Sequence, residues 1–176
     1  MTNKPARLHI RRETPSDIQA IARANDKAFG GADESALIDR LRADGLVAVS
    51  LVAEDDSDIV GHILLSRLAV TASERHLRAL ALAPMAVVPE RQRQGVGTAL
   101  VRASIDAART AKADVIVVLG HPDFYPRFGF SAARAVKLAA PFSGDAFMVL
   151  ELVPGVLGDG AGTVTYPPAF GISTAA

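Results

Sequence analysis

The stretch VVPERQRQGVGTALVRA, residues 87–103, joins the end of an apolar run to the start of an amphipathic helix. Its two glycines, Gly95 and Gly97, lie where that helix begins, beside arginines and glutamines. The first N–H groups of a helix have no partner inside the helix, and the helix dipole adds partial positive charge there. Because glycine has no Cβ, a ligand can approach the main chain closely. The stretch therefore predicts a phosphate or pyrophosphate site, unless Gly95 only caps a turn and the arginines are solvated.

Hydrophobic periodicity and turn residues predict the element order β-α-α-β-β-β-α-β-turn-β along residues 7–152. The apolar run 114–120 follows the helix of the opening stretch, and such runs are typical of strands buried on both faces. A strand, a helix and a strand in succession favour a crossover between parallel neighbours. We therefore expect one α/β domain, residues 1–176, with a mixed sheet and helices on both faces. The Gly/Pro-rich tail, 153–176, is expected to be weakly structured, with a candidate strand at 162–166.

Local signals set the bounds of the earlier elements. The predicted starts and ends of the first two helices are marked by Thr14, Pro15, Gly30, Asp33 and Gly45. Two β-rich runs, 46–54 and 58–71, flank a polar turn and predict a hairpin. The next predicted strand, 77–88, contains Pro84, and a proline inside a strand is confined to an edge or a bulge.

Composition excludes several classes of function. The chain has 19 basic and 19 acidic residues, which argues against a body built to bind nucleic acid or a membrane surface. It has no cysteine, and its four histidines form no close pair, so we expect no metal. We expect His62 and His76 to be structural or exposed. The N-terminus lacks an apolar leader segment, and no apolar run is long enough to span a bilayer. These features predict a soluble cytoplasmic protein.

The glycine turn departs from two common nucleotide-binding patterns. The Walker pattern GxxxxGK[ST] is absent, which disfavours an ATP or GTP hydrolase. The dinucleotide fingerprint GxGxxG fails as well, because Leu100 stands where the third glycine belongs. A nucleotide-phosphate enzyme that uses this turn in another way stays a rival hypothesis.

Two segments together resemble the GNAT superfamily of acyl-CoA-dependent N-acetyltransferases. The opening stretch is similar to the family's pyrophosphate motif Q/R-x-x-G-x-G/A, with Gln92, Gly95 and Gly97 in the motif positions. The segment FYPRFGF is similar to the family's Y-x-x-x-G-F segment, with Tyr125 and Gly129 in register. The element order matches the family's splayed, mixed sheet. The particular residues of both segments resemble those of a bacterial subgroup with poorly defined substrates.

The resemblance implies acetyl-CoA as co-substrate, with its pyrophosphate on the helix start and its pantetheine along the preceding strand. In this family that strand and the next splay apart, and the thioester enters the gap. Pro84 fits a bulge at the splay, or an edge strand without function. The residues implied in cofactor binding are Met85, Ala86, Val87, Val88, Gln92, Arg93, Gln94, Gly95, Val96, Gly97 and Thr98.

The family's reaction is direct attack of an amine on the thioester carbonyl. Tyr125 occupies the position of the family's general acid, which protonates the departing sulfur; the alternative is an aromatic residue that only packs against its neighbours. The family often places a glutamate base near the strand, and this chain has none there. His121 and Glu34 are the candidate bases, with water as a third option. His121 could instead be a turn residue, and Glu34 could be a helix-start charge.

The acceptor is expected to be a small-molecule or peptide amine. The second helix and the segment 131–147, read as a loop, are expected to border its pocket. Because members of this family often dimerise, the resemblance also allows a homodimer. The alternative to an enzyme is a non-catalytic acyl-CoA-binding or sensor domain on the same fold.

Overall fold

The computed structural model describes residues 8–172, which contain eight strands and four α-helices. Residues 1–7 and 173–176 of the predicted domain lie outside this range. The strands are β1 (His9–Arg12), β2 (Val47–Asp55), β3 (Asp58–Ala72), β4 (Arg75–Val87), β5 (Val115–Leu119), β6 (Leu138–Ala139), β7 (Phe147–Glu151) and β8 (Gly162–Thr165). The helices are α1 (Ile18–Phe29), α2 (Asp33–Ala43), α3 (Val96–Thr110) and α4 (Ala132–Ala135).

One mixed sheet carries the fold, with strands in the order β1-β2-β3-β4-β5-β7. Along this path β4 and β5 pair in parallel and the other neighbours pair antiparallel. The β4–α3–β5 unit is therefore the predicted crossover. The predicted α/β class, with a mixed sheet, is confirmed.

Helices cover both faces of the sheet, as the alternation of side chains along β3 shows. Ile63 and Leu65 pack in one cluster with α3, whereas Leu64 packs in another with α1 and α2. Since successive strand residues point to opposite faces, α3 lies on one face and the α1–α2 pair on the other. Burying each of these large side chains contributes roughly 1.5–3 kcal/mol.

The sheet opens between its two parallel strands. β4 and β5 pair from Ala79 with Val115 to Leu82 with Val118, and the ladder then ends. β4 continues beside β3 to Val87. Pro84 lies at this point, inside a register shift in which β3 advances from Ile63 to Leu65 while β4 runs from Met85 back to Leu82, so the extra residue of the bulge lies in β4, a central strand. Past Leu82, among the described residues, the β5 side of β4 has no strand partner, and this gap is called the splay below.

The tail is more ordered than its composition predicts. β8 pairs with Ala69–Ala72 at the far end of β3, on the side that β2 leaves open past Ser66. A Cβ on Gly162 would lie 2.5 Å from the Thr71 carbonyl oxygen, so only glycine allows this close pairing. The expectation of a weakly structured tail is wrong for the strand, whereas the candidate strand itself is present.

The segment 131–147 is not the loop that was expected. It contains α4 and β6, and α4 packs against β7. The Ser131 side chain accepts a hydrogen bond from the Arg134 N–H at 3.1 Å and caps the short helix. β6 pairs with β8, so this segment and the tail hold each other.

Candidate functional site

The loop before α3 presents a row of unpaired main-chain donors. Gly95 caps the helix in the left-handed region, at φ 86°, and Arg93 also has a positive φ, of 60°. The first hydrogen bond of the helix runs from the Ala99 N–H to the Gly95 carbonyl oxygen, at 3.0 Å. Within residues 8–172, the N–H groups of residues 93–98 donate to no acceptor. Six successive free N–H groups at a helix start suit an anion.

Two glutamines of the loop brace it from within. Gln92 donates through Nε2 to the Val87 carbonyl oxygen at 2.9 Å, and Gln94 donates to the Glu90 carbonyl oxygen at 2.9 Å. Arg91 in turn donates to Gln94 Oε1 and forms an ion pair with Asp55. These contacts hold the main chain in the shape that exposes the six donors.

A cleft of about 1440 Å³ runs from this loop through the splay to α1 and α2. Glu34, His121 and Tyr125, predicted from separate parts of the sequence, all line it. The predicted cofactor-binding residues in its lining are Met85, Ala86, Val87, Gln92, Arg93, Gly95, Gly97 and Thr98. Val88, Gln94 and Val96 do not line it: the valine side chains are buried in the core, and Gln94 braces the loop.

Gly97 lies against the cleft without being required by the packing of the protein. A Cβ there would lie 3.6 Å from Met85 Cε and 3.6 Å from Phe124 Cζ, which are ordinary contact distances. Its φ is not in the left-handed region. The lack of a side chain at Gly97 therefore leaves room for a ligand, which is the reason the sequence motif suggested.

Tyr125 is held in a buried aromatic cluster with its hydroxyl free. Its side chain is 5% exposed, and its ring packs edge-on against Phe124 and Phe130. Among the described residues the hydroxyl makes no hydrogen bond, and burial raises the pKa of Tyr125 to about 12. A buried phenol that stays protonated can donate a hydrogen bond to a ligand in the cleft.

Gly120 fixes where that ring lies. A Cβ built on Gly120 would lie 2.7 Å from Tyr125 Cδ2, closer than any real side chain could approach. The sequence motifs did not single out Gly120. Its signal was its position, directly after the apolar run of β5 and five residues before Tyr125.

The structure places both candidate bases, His121 and Glu34, at the cleft. His121 is exposed, and its carbonyl oxygen accepts hydrogen bonds from the Phe124 and Tyr125 N–H groups at 3.0 and 3.3 Å. Glu34 is half-buried in the first turn of α2, and within the described residues its carboxylate has no hydrogen bond or ion pair. Both side chains line the cleft, so both can reach a ligand there.

Other residues of the lining were not predicted. Asp123 and Arg127 come from the turn after β5, and the Arg127 guanidinium lies 4.7 Å from the centre of the Phe124 ring. Ala28, Phe29, Leu37 and Leu119 supply apolar wall. The segment 131–147, expected to border the acceptor pocket, contributes nothing to the lining, because it packs on β7 and β8. The second helix, by contrast, contributes Glu34 and Leu37 to the lining, so the prediction that it borders an acceptor pocket still stands as a prediction.

His62 is a structural residue behind the cleft. It is fully buried, with Nδ1 3.2 Å from Asn25 Nδ2 and Nε2 2.9 Å from Ser50 Oγ. Ser50 donates to Glu13 at 2.5 Å, and Arg42 donates to the same carboxylate oxygen at 2.7 Å. Burial lowers the pKa of His62 to about 4.

A second cleft, of about 610 Å³, lies between α1 and the β2–β3 turn. Ion pairs inside its lining compensate many of its charges, including Arg11 with Asp17 at 2.7 Å and Lys27 with Glu90 at 2.6 Å. The Arg11 guanidinium holds the pKa of the Asp17 carboxyl well below its usual range. Predicted site residues other than Val88 do not line this cleft.

A mixed sheet that opens between parallel strands, beside a helix start with free N–H donors, is the architecture of the class that the sequence motifs resemble. A family model described as an acetyltransferase (GNAT) domain matches residues 9–133. The chain belongs to the GNAT acetyltransferase family. The resemblance stated from the sequence, and the splayed sheet that it implied, are confirmed.

Relatives of known structure hold the coenzyme. The chain is 32% identical to the uncharacterized N-acetyltransferase YhbS of Escherichia coli K12, over 92% of this chain and 97% of that one. The crystal structure of Escherichia coli YhbS in complex with CoA matches with a TM-score of 0.86 at 31% identity, over 97% and 96% of the two chains. A GNAT acetyltransferase from Brucella melitensis, in complex with acetyl-CoA, matches with a TM-score of 0.77 at 32% identity, over 94% and 99%.

Two properties of the described range bear on partners. None of the helices in residues 8–172 has both the length and the apolar character that crossing a bilayer requires. The same residues contain no group of three or more His, Cys, Asp or Glu side chains arranged to hold a metal ion.

Proposed function

We propose that this protein transfers the acetyl group of acetyl-CoA to a primary amine by direct attack of the amine. The observation that carries the proposal is the row of six free N–H groups, residues 93–98, on a cleft that also holds the free hydroxyl of Tyr125. A diphosphate and a thioester on one carrier account for both features. A nucleotide-phosphate enzyme would need the donors and would leave the tyrosine and the splay without a role.

The residues of the cleft fit acetyl-CoA. The free donors at the start of α3 bind the pyrophosphate, and Gly97 leaves room for it. The unpaired side of β4, residues 83–87, offers main-chain groups to the amides of the pantetheine, as an added strand would. One of its N–H groups stabilises negative charge on the carbonyl oxygen. The bound thioester supplies the electrophilic carbonyl.

Tyr125 assists the departure of the sulfur. A free thiol has a pKa of about 8.5, whereas burial raises the pKa of Tyr125 to about 12. Full transfer of the phenolic proton to a free thiolate would therefore be uphill. The hydroxyl stabilises the sulfur chiefly by donating a hydrogen bond as negative charge develops.

The amine loses its proton to Glu34, to His121 or to water. The lower limb of the pH–rate profile separates these options, because it follows the base that must be deprotonated. Glu34→Gln and His121→Gln are the matched variants. Loss of the limb in one of them identifies the base, and an unchanged limb in both identifies water.

The test of the proposed function is amine-dependent release of CoA thiol from acetyl-CoA, read with a thiol-reactive dye. The chain has no cysteine, so the protein itself gives no background. We expect turnover with at least one primary amine and stabilisation by acetyl-CoA that follows mass action. Tight binding without turnover for every amine would favour the sensor. Stabilisation by ATP or NAD and not by acetyl-CoA would favour the nucleotide enzyme.

We also propose three properties of the whole chain. Residues 1–176 form one domain, so we expect limited proteolysis to give no internal cleavage. A homodimer and a cytoplasmic location remain predictions from the resemblance and the composition, and light scattering and cell fractionation test them.

A further inference from the structure

The alternation of side chains along the strands shows on which face of the sheet each apolar residue of the cleft lies. Along β5, Ile116 and Val118 pack in the cluster under α3, whereas Val115 and Val117 pack in the cluster on the opposite face. Leu119 follows Val117 by two residues, and it is paired with Phe147, a member of that same opposite cluster. The Leu119 side chain therefore lies on the face that α1 and α2 cover.

The side chains of β4 can be assigned to the two faces of the sheet in the same way. Met85 and Val87 lie on the α3 face, because a Cβ on Gly97 would contact both. Ala86 is paired with His62, and His62 contacts Asn25 of α1, so Ala86 lies on the α1–α2 face. The cleft thus crosses the sheet through the splay. One mouth holds the free donors and Tyr125, and the other, called the acceptor mouth below, holds Glu34, Phe29, Leu37 and Leu119.

The acceptor mouth is apolar and open. Phe29 is 46% exposed and Leu119 is 49% exposed, and both line this one concavity together with Leu37. Scattered apolar side chains on a surface are ordinary, but a concave apolar wall marks a place where a ligand is desolvated. Glu34 is the sole charged side chain that α1 and α2, within the described residues, contribute to the lining.

From this wall we propose that the acceptor is a primary amine that carries an apolar substituent; the proposal rests on the proposed function. The substituent packs on Phe29, Leu37 and Leu119, and Glu34 attracts the ammonium group before it loses a proton. In the transfer the amine nitrogen forms a bond to the acetyl carbon and the carbon–sulfur bond breaks. The nitrogen gives its proton to the base or to water, and the departing thiolate, hydrogen-bonded to Tyr125, takes a proton from solvent.

The test compares amines of matched size with acetyl-CoA held constant. Butylamine and 3-aminopropan-1-ol differ by a methyl in place of a hydroxyl, and 1,4-diaminobutane adds a second charge. We expect kcat/KM for butylamine to exceed that for either polar amine by roughly 10-fold or more, and 2-phenylethylamine to rank with butylamine. Equal or better turnover of the polar amines would overturn the proposal and leave the proposed function standing.

Variants place the preference in the acceptor mouth. Leu119→Asn and Phe29→Ser should reduce the ratio of butylamine to 3-aminopropan-1-ol, chiefly through KM for the amine, with KM for acetyl-CoA unchanged. Val136→Ser is the matched control, because Val136 is 77% exposed and lies outside the cleft lining. A ratio that survives both cleft variants would contradict the assignment.

An apolar wall could also hold a longer acyl chain. Turnover of hexanoyl-CoA with 3-aminopropan-1-ol shows whether the wall binds the acyl chain or the substituent of the amine. A large increase in kcat/KM for hexanoyl-CoA over acetyl-CoA, without a preference among amines, would overturn the proposal. If no amine turns over, the proposed function fails, and calorimetric binding of butylamine against 3-aminopropan-1-ol to the CoA-loaded protein then decides the acceptor proposal. Equal binding of the two would overturn it.

Discussion

At the scale of single residues, the proposed mechanism depends on one aromatic ring and on the glycine that packs against it. Tyr125 has a free hydroxyl in a buried setting, and Gly120 supplies the space in which its ring lies. The phenol can act on a sulfur atom only if the ring keeps this position. We therefore expect the effects of the two residues on activity to be coupled.

Replacing Tyr125 tests the chemistry directly. Tyr125→Phe keeps the ring and removes the donor, so we expect kcat to fall by roughly 100-fold, with the acetyl-CoA dissociation constant nearly unchanged. Tyr166→Phe is the matched control, because burial likewise raises the pKa of Tyr166 to about 12 and it lies outside the cleft lining. Steady-state kinetics and calorimetry check both. A normal kcat in Tyr125→Phe would remove this residue from the mechanism.

Replacing Gly120 tests the position of the ring. In Gly120→Ala the added methyl displaces Tyr125, so we expect kcat to fall while the affinity for acetyl-CoA holds. Adding Gly120→Ala to Tyr125→Phe should then cost much less than the single change does, since the hydroxyl is already gone. Full additivity of the two losses, measured as kcat ratios, would argue that Gly120 acts on general stability and not through Tyr125.

At the scale of elements, the proposed function assigns coenzyme binding to the start of α3 and the splay beside it. Gly97→Glu adds bulk and negative charge where the pyrophosphate would lie. Because an acidic residue near a helix start complements the helix dipole, folding should tolerate the change. We expect acetyl-CoA affinity to weaken by about 10-fold or more.

Gly160→Glu is the control for the charge added by Gly97→Glu, since Gly160 is exposed and outside the cleft lining. Calorimetric titration with acetyl-CoA measures both variants. An unchanged affinity in Gly97→Glu would mean that the phosphates bind elsewhere.

Local signals predicted the elements better than they predicted their partners. The α3 start, the β2–β3 hairpin and the β5 run each carry their own pattern, because helix caps and apolar periodicity act within a few residues. The pairing of β8 with β3 joins Gly162–Thr165 to Ala69–Ala72 across about 90 residues of chain, and no local pattern encodes it. Leu119 in the acceptor mouth could not be assigned for the same reason: its face depends on where the β4–β5 ladder ends.

At the scale of the whole molecule, one buried histidine links stability to pH. His62 is neutral in the folded protein because burial lowers its pKa to about 4, against an ordinary value of about 6.5 in the unfolded chain. Between these values the unfolded state binds a proton and the folded state does not. The free energy of unfolding therefore falls as pH drops from about 6.5 to 4, by up to about 1.4 kcal/mol per pH unit.

Chemical denaturation from pH 7 to pH 4 measures this slope. His62→Gln keeps a polar side chain and removes the titration, so its slope in this window should be smaller even if its stability is lower throughout. Asp17 sets a separate window: Arg11 depresses its pKa, so its loss of stability begins below about pH 4. The same slope in both proteins between pH 6.5 and 4 would contradict the assignment to His62.

The two mouths of the cleft have a kinetic consequence. If the coenzyme binds on the α3 face and the amine approaches from the α1–α2 face, as proposed, neither reactant blocks the entry of the other, and both occupy the protein before any bond changes. Initial rates measured over both concentrations should then give intersecting reciprocal plots, with CoA competitive against acetyl-CoA and noncompetitive against the amine. Parallel plots would instead indicate an acetylated protein as an intermediate. In this view the sheet separates the two reactants, and they meet in the gap between β4 and β5.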